Sequence, residues 1–235
     1  MVTPLFSICY KKNFFFVLCC AVSIIIGSGC GLYKTRHIKT TDLKLKNDIN
    51  DSIIDLYPDR FKAIHRVILT LSGKNYVLNG YLSVDRPNRE INLIAQNDLG
   101  GIIFDVHFIK NVETSIRITA NMIKKKWLET SVLRDLETIY LKEPFSSPTL
   151  FSDQHGALIL SEKQGQITHE LIYKKINSPE YYQLAEIRHL KNRRCIYAVN
   201  LKYGSAHNNL YPEIIFVRDT KMNYTLQITV QYFME

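Results

Sequence analysis

Apolar and polar residues alternate along most of the chain beyond residue 60. The clearest run is the last, in which Tyr224, Leu226, Ile228, Val230 and Tyr232 alternate with threonine and glutamine. Alternation over five or more residues gives a strand one buried side and one solvent-facing side. The body of the chain is therefore predicted to be a β-sheet with one apolar face.

Short turn signals separate the alternating runs. They lie at 72–74, 85–88 and 97–101, where glycine, proline, asparagine and aspartate cluster. Connections this short join neighbouring strands as hairpins, so the sheet is predicted to be antiparallel. From the number of alternating runs we expect about ten or eleven strands.

The period changes between residues 122 and 141. Leu128, Val132, Leu136 and Tyr140 recur every four residues, which predicts one amphipathic helix. A strongly curved sheet can wrap such a helix without closing on itself. The predicted fold class is α+β, mainly β: an incomplete antiparallel β-barrel of about 10–11 strands wrapped around a central helix.

The concave face of such a sheet can enclose an apolar cavity. Plain core packing explains the same pattern of inward-facing residues, and the sequence leaves both interpretations open. The candidate cavity-lining residues are Leu82, Leu93, Phe104, Val106, Phe108, Tyr197, Val199, Leu226 and Ile228.

A membrane-directed leader precedes the sheet. Two lysines are followed by the apolar run 13–29, which ends in small residues, as in a secretory signal peptide. The sequence GSGC at 27–30 resembles the lipobox of bacterial lipoproteins, although that family usually has an aliphatic residue where Gly27 stands. The resemblance implies cleavage before Cys30 and a diacylglycerol on its sulfur. An uncleaved N-terminal anchor is the alternative, and either route takes the rest of the chain out of the cytoplasm.

These features divide the chain into three predicted parts. They are a lipoprotein signal peptide (1–29), a tether with a short helical segment (30–58), and a half-barrel domain (59–235) that is long enough to bury a full core. Gly31 stands where an aspartate would resemble the inner-membrane retention signal of enteric bacteria. Its presence favours the outer membrane, with the domain facing the periplasm.

The formal net charge is +8, which suits an anionic membrane surface or nucleic acid as a partner. Export excludes nucleic acid, so membrane lipid is the partner that we expect, and we expect a monomer. The bases are scattered along the sequence. Their longest run, 124–126, is interpreted as the solvated start of the helix.

A search for catalytic chemistry identifies no site. The sequence has no G-x-S-x-G nucleophile elbow, no metal-ligand histidine pair at helical spacing, no phosphate-binding glycine loop and no paired general acid and base. Cys195 has no intramolecular partner if Cys30 carries lipid, and we expect a small buried residue on a strand. We therefore predict no catalytic residue, no metal and no cofactor, and a protein that binds or transports rather than an enzyme.

Two segments and the helix between them resemble a known family. The sequence EINLIAQNDLGGIIFDVHF (90–108) reads as strand, tight turn and strand, and PEIIFVRDTKMNYTLQITV (212–230) reads as a final hairpin. Both resemble the outer-membrane receptor of the lipoprotein-localisation (Lol) pathway, as does the position of the helix. The resemblance covers roughly 60–235 and the lipobox. It extends to an uncharacterised set of lipoproteins that share the Lol-type fold.

The resemblance implies a role for the turn leucine, Leu99. In the receptor this residue projects from the half-barrel and helps transfer lipoprotein acyl chains into the membrane. A leucine folded back on the sheet is the alternative here. The sequence has Asp98 where the family usually has proline, and a carboxylate beside the leucine opposes insertion into an anionic bilayer.

The hypothesis favoured by these observations is an envelope lipoprotein that binds or transfers acyl chains, from a lipoprotein or another lipid, in an apolar cavity. A periplasmic carrier protein is an expected partner. The first rival is a non-enzymatic structural or assembly lipoprotein with a filled core and no ligand cavity. The second is an enzyme acting on envelope lipid or glycan through Cys195 or a histidine.

Overall fold

The computed structural model describes residues 38–39, 57–119, 124–142, 145–176, 181–204 and 211–235. The predicted signal peptide, the lipidation residue Cys30 and most of the predicted tether lie outside these residues. Two parts of the tether segment are described: Ile38–Lys39 form a strand, and Tyr57 is buried in the core. The strands, the helix and the core all belong to one compact unit, Arg36–Glu235.

The described residues contain thirteen strands, which form one antiparallel sheet. In chain order they are β1 (Ile38–Lys39), β2 (Arg60–Leu71), β3 (Lys74–Asp85), β4 (Glu90–Gln96), β5 (Ile102–Ile109), β6 (Glu113–Ile118), β7 (Thr149–Ser152), β8 (Leu158–Gln164), β9 (Ile167–Lys175), β10 (Tyr182–Lys191), β11 (Arg194–Lys202), β12 (Ile214–Asp219) and β13 (Tyr224–Met234).

The order of the strands across the sheet is β1-β7-β8-β9-β10-β11-β12-β13-β2-β3-β4-β5-β6. The last strand in the chain, β13, pairs with β2, and this pairing joins the first and second meanders into one sheet. β1 and β6 stand at the two edges, so the sheet is open. The predicted fold class is confirmed. The strand count exceeds the expected ten or eleven because β1 has only two residues and β7 only four, too few to show alternation.

One helix connects the two meanders. It is α1, and it consists of the α-helical turn Lys125–Trp127, the π-helical turn Leu128–Val132 and the α-helix Leu133–Tyr140. The amide of Leu133 donates to the carbonyl of Leu128, the five-residue step that defines a π turn. Among the described residues no helix is long and apolar enough to span a bilayer.

The apolar stripe of α1 packs against the concave face of the sheet. Leu128, Leu136 and Tyr140 belong to one core cluster with inward-facing residues of strands from β2 to β13. Along β2 the inward Phe61, Ala63 and Leu69 are buried, whereas Lys62 and Arg66 between them are exposed. The sheet therefore curves around the helix, which is why one helix can cover so many strands.

Shifts in strand register increase this curvature. They lie in β4–β5 pairing after Ala95, in β10 pairing after Leu184 and after His189, and in β13–β2 pairing after Val230. An extra residue on one strand bends it and increases its local twist. The bends allow the two meanders to wrap α1 from both sides.

Candidate functional site

A small cavity lies between α1 and the strands around β2. Ten residues of β2, β3, β4, β5 and β13 form its floor, and six residues of the helix form its roof. The floor consists of His65, Val67, Leu69, Leu78, Gly80, Leu93, Ala95, Phe104, Leu226 and Ile228, and the roof of Trp127, Val132, Asp135, Leu136, Ile139 and Tyr140.

The cavity is narrow, with a volume of about 70 Å³. It exists because Gly80 and Ala95 contribute little or no side chain to the floor. A Cβ added at Gly80 would meet His65 Cβ and Leu93 Cδ1 at 3.6 Å, which is ordinary contact, so no clash requires glycine here. Sites for small molecules usually measure about 300–1,000 Å³. The cavity is therefore too small for a long acyl chain.

Apart from Tyr140, the lining contains two ionisable side chains, and one of them is His65. Its ring stacks on that of Tyr140 with centroids 6.2 Å apart, and its Nε2 lies 3.5 Å from the Tyr140 hydroxyl. Burial lowers the pKa of His65 to about 4, because the charged imidazolium loses its contact with water there. The imidazole is neutral at neutral pH, which keeps the cavity apolar.

Asp135, the second ionisable side chain of the lining, belongs to a buried polar cluster that attaches α1 to the sheet. We call Arg134, Asp135, Asp219 and Tyr224 the Arg134 clasp. Arg134 lies 2.7 Å from Asp219 Oδ2 and 3.1 Å from Asp135 Oδ1, and it donates to the Tyr224 hydroxyl at 2.7 Å. The Tyr224 hydroxyl in turn donates to Asp135 Oδ2 at 2.6 Å. The clasp thus connects the helix to β12 and β13.

The clasp contains two buried carboxylates and one guanidinium. Asp135 and Asp219 are 3% and 2% exposed. Burial raises the pKa of Asp135 to about 6, against the opposing effects of its hydrogen bond from Tyr224 and the charge of Arg134. The Arg134 guanidinium also lies 4.5 Å from the ring centroid of Tyr197 on β11. Removing these groups from water is costly, so the clasp holds α1 less tightly than its contacts suggest.

Near the clasp, the helix also carries buried polar atoms without a hydrogen-bond partner. Trp127 Nε1, Ser131 Oγ and Arg134 Nε are buried without a hydrogen bond. They follow one another along α1 across the π turn, and Trp127 packs edge-on against Tyr224 with centroids 5.4 Å apart. Each buried donor without a partner disfavours this arrangement by about 1–3 kcal/mol. The buried donors of Trp127, Ser131 and Arg134 thus weaken the attachment of α1 to the sheet.

Four of the nine predicted lining residues lie at the cavity: Leu93, Phe104, Leu226 and Ile228. The other five are also buried, but they pack within the core away from it: Leu82, Val106, Phe108, Tyr197 and Val199. All nine belong to the core cluster or pack against it, but alternation cannot tell which of them the helix covers tightly. Contact of any of them with a ligand stays a prediction.

Leu99 projects into solvent at the tip of the β4–β5 turn. Its side chain is 95% exposed, so the alternative of a leucine folded on the sheet does not describe this structure. Asn97 shapes the turn, because its Oδ1 accepts from the amides of Leu99 at 3.0 Å and Gly101 at 2.8 Å. Gly100 has φ +80°, a conformation that favours glycine. Asp98 is held back toward the sheet, with its carboxylate 4.0 Å from Arg66.

The remaining candidate groups are dispersed. Cys195 is half-buried on β11 and donates to the carbonyl of Tyr197 at 3.4 Å. His107 Nδ1 lies 2.6 Å from Asn92 Oδ1 on the outer face. His169 packs edge-on against His189 with ring centroids 4.4 Å apart. Within the described ranges no group of three or more histidine, cysteine, aspartate or glutamate side chains could hold a metal ion.

Sequence reasoning missed the Arg134 clasp, although two signals for it exist. Asp135 interrupts the apolar stripe of the predicted helix, one position before Leu136. Asp219 occupies the third inward position of β12, after the fully buried Ile215 and Val217. A carboxylate at a core position needs a partner, and a basic residue on the same helix could have been proposed.

Comparisons with known proteins find likeness in structure only. No protein-family model matches the chain, and no curated protein matches it in sequence. Among solved structures, it is similar to a domain assigned as an outer membrane lipoprotein-sorting protein from Vibrio parahaemolyticus (8% identity, TM-score 0.47), covering 81% of this chain and 90% of that one.

Two further solved structures are similar to a comparable degree. A LolA superfamily protein from Nitrosomonas europaea has 6% identity and a TM-score of 0.43, covering 81% of this chain and 91% of that one. A DUF1329 family protein from Desulfovibrio piger has 8% identity and a TM-score of 0.44, covering 81% and 89%. Likeness at this level does not argue for a shared function, so the proposals below depend on the residues of this chain.

Proposed function

We propose that this protein is a lipid-anchored envelope lipoprotein that binds an acyl chain between α1 and the sheet and releases it at a membrane. The observation that carries the proposal is the cavity under α1, whose lining is apolar except for His65 and Asp135. Burial of apolar area gives affinity of about 0.8 kcal/mol per methylene, so no cofactor is needed. The same lining offers no catalytic constellation, and the proposed role is not enzymatic.

Binding requires that α1 move away from the sheet. The 70 Å³ cavity accepts at most a fragment of a chain, and displacing the helix would join it to the space that Leu136 and Ile139 now fill. The buried charges of the clasp and the unpartnered atoms of Trp127 and Ser131 make the closed position easier to leave. The helix would then act as the lid of the site.

The anchor and the partners follow from the N-terminal sequence. Cys30 would carry the diacylglycerol that attaches the protein to the outer membrane, facing the periplasm. The cargo would be an acyl chain of a lipoprotein or of another lipid, delivered by a periplasmic carrier. Mass spectrometry of the mature chain tests the anchor, because lipidation adds a diacylglycerol mass to a chain that begins at residue 30.

Two leucines of equal burial test the site. Leu136 lines the cavity and Leu201 packs elsewhere in the core, and each is 7% exposed. Leu136→Ala and Leu201→Ala should each destabilise the fold by about 2–5 kcal/mol. Only Leu136→Ala enlarges the cavity, so it alone should tighten saturable binding of a fluorescent fatty-acyl probe to the full chain, by about tenfold. Denaturant unfolding of both variants shows that they are folded.

The same experiment distinguishes the proposed acyl-chain site from its rival, a lipoprotein without a ligand cavity. The small volume of the cavity favours a structural or assembly lipoprotein with a filled core. That rival predicts that neither the natural chain nor the two alanine variants bind the probe saturably. Equal affinity of Leu136→Ala and Leu201→Ala for the probe would also contradict the proposed site.

A further inference from the structure

Five turns of the sheet lie at one end of the barrel, which we call the tip end. They connect β2–β3, β4–β5, β8–β9, β10–β11 and β12–β13. Strand register brings them together: Leu71 pairs with Lys74 and with Tyr224, and Lys191 pairs with Arg194 and with Ile167. The helix also begins at this end, because Trp127 packs on Tyr224.

Exposed bases are concentrated at the tip end. Its turns, the strand ends beside them and the start of α1 carry nine, against two exposed acids, Asp98 and Glu129. Lys125 lies 3.9 Å from Glu129, and the other eight bases make no ion pair with a described residue. The nine are Lys74, Lys124, Lys125, Lys126, Lys163, Lys191, Arg193, Arg194 and Lys221.

The opposite end has no such surplus. Its described residues mix both signs: Arg60 pairs with Asp85 at 2.9 Å, and Glu113, Glu213 and Glu235 are exposed. Among the described residues, the surplus of exposed positive charge therefore lies at the tip end. A one-sided charge of this size attracts an anionic surface and orients the molecule on it.

The chemistry of the tip end distinguishes among anionic partners. Leu99, the most exposed of the large apolar side chains described, projects from one of the five turns. The exposed aromatic side chains of the described chain (Tyr81, Tyr181, Phe216 and Tyr232) lie outside these turns, so the tip end lacks the stacking platforms typical of nucleic-acid sites. Flexible bases around one protruding apolar residue match lipid headgroups over an acyl layer.

We propose that the tip end docks on the anionic surface of a lipid bilayer, with its nine bases over the headgroups and Leu99 in the acyl region. The proposal stands on the placement of charge and does not require the acyl-chain site. Docking would also place the first turn of α1 at the bilayer, because Lys124, Lys125 and Lys126 belong to the basic surface.

Lysine acetylation mapped by mass spectrometry tests this docking. The full chain is attached to vesicles of phosphatidylcholine, with or without phosphatidylglycerol, so that any N-terminal anchoring is the same in both. Lysines of the tip end should react at least about fivefold more slowly on the anionic vesicles. The exposed lysines Lys62, Lys174 and Lys202, away from the tip end, are internal controls whose rates should not change. High salt should abolish the protection.

Two charge-matched triple variants complete the test. Lys191→Gln with Arg194→Gln and Lys221→Gln should reduce the protection of Lys74 and Lys163 at least about threefold. Lys62→Gln with Lys174→Gln and Lys202→Gln removes as many charges and should leave the protection intact. Thermal melting confirms folding, and the comparison of vesicles with the natural chain stands without either variant.

Several results would overturn the proposal. Equal acetylation on the two kinds of vesicle would show that anionic lipid is not recognised, and so would equal loss of protection in both triple variants. Protection by double-stranded DNA without protection by anionic vesicles would assign the surface to nucleic acid. Acyl-probe binding in solution is independent of vesicle charge, so failure of the docking proposal leaves the acyl-chain proposal to its own test.

Discussion

His65 shows how one residue makes the stability of the protein depend on pH. Burial lowers its pKa to about 4, below the usual value near 6.5. Burial first and the neighbouring His169 second also lower the pKa of His189 to about 4. A lowered histidine pKa means that the folded state binds the proton only at a lower pH than the unfolded state does. The stability from a neutral His65 is fully present above pH 6.5 and is lost as the pH falls toward 4.

We predict that His65→Leu reduces this loss of stability at low pH. The shift in the pKa of His65 corresponds to about 3 kcal/mol, and the free energy of unfolding of the variant should fall by that much less between pH 6.5 and pH 4. Asp135 acts in the opposite direction, because its raised pKa makes stability fall as the pH rises toward 6, but it is common to both proteins. Urea unfolding across this pH range measures the difference. His155→Leu, in an exposed turn, should follow the natural chain, and identical slopes for all three would refute the assignment.

Val112 is a matched control for Leu99, because both are exposed apolar side chains on turns. The two side chains are 95% and 78% exposed, on turns at opposite ends of β5. Both substitutions to serine should leave the unfolding free energy unchanged within about 0.5 kcal/mol. Leu99→Ser should slow transfer of a bound fluorescent acyl probe to acceptor vesicles by about tenfold, since the apolar contact is lost. Val112→Ser should transfer at the natural rate. A common effect of both would exclude a specific role for Leu99.

At the scale of the element, α1 combines an apolar roof with an ionic attachment. Leu128, Leu136 and Ile139 bury the helix against the sheet, and the Arg134 clasp determines where along the strands it sits. The π turn between the two halves widens the helix at Leu128–Val132. π turns are frequent at functional sites, and this one separates the clasp from the basic first turn.

Arg134→Leu should destabilise the protein by about 3–5 kcal/mol, because Asp135 and Asp219 would remain buried without a cation. Arg188 is a matched control: the two arginines are 32% and 30% exposed, but Glu186, with which Arg188 forms a salt bridge, is 17% exposed, more than Asp135 or Asp219. Arg188→Leu should cost at most about 1 kcal/mol. Denaturant unfolding, followed by the fluorescence of the single tryptophan, Trp127, gives both values. Equal costs would mean that the clasp does not attach the helix.

In the complete fold, bases that are dispersed along the sequence come together at one end of the sheet. Lys74, Lys163 and Lys221 are far apart in sequence and were interpreted only as part of a scattered surplus. Antiparallel pairing places every second turn at the same end, so that bases in alternate turns add up. A sequence pattern read one strand at a time cannot show this sum.

The open sheet also explains why prediction of the cavity was incomplete. Alternation identifies the concave side of each strand, and Phe104 and Val106 are both on it. Only Phe104 reaches the cavity, because the distance between helix and sheet at each point depends on register shifts and on small residues such as Gly80. These are long-range properties, whereas the alternation is local.

Local patterns in the sequence were sufficient to predict the class of fold, the direction of the strands, the position of the helix and the apolar side of the sheet. These features follow from the periods of apolar residues and from short turns, which act between residues close along the chain. The size of the cavity, the clasp that joins Arg134 to Asp219 and the basic tip end become visible only in the folded chain. Each of these depends on side chains that lie far apart along the chain and meet only when the sheet has curved around α1.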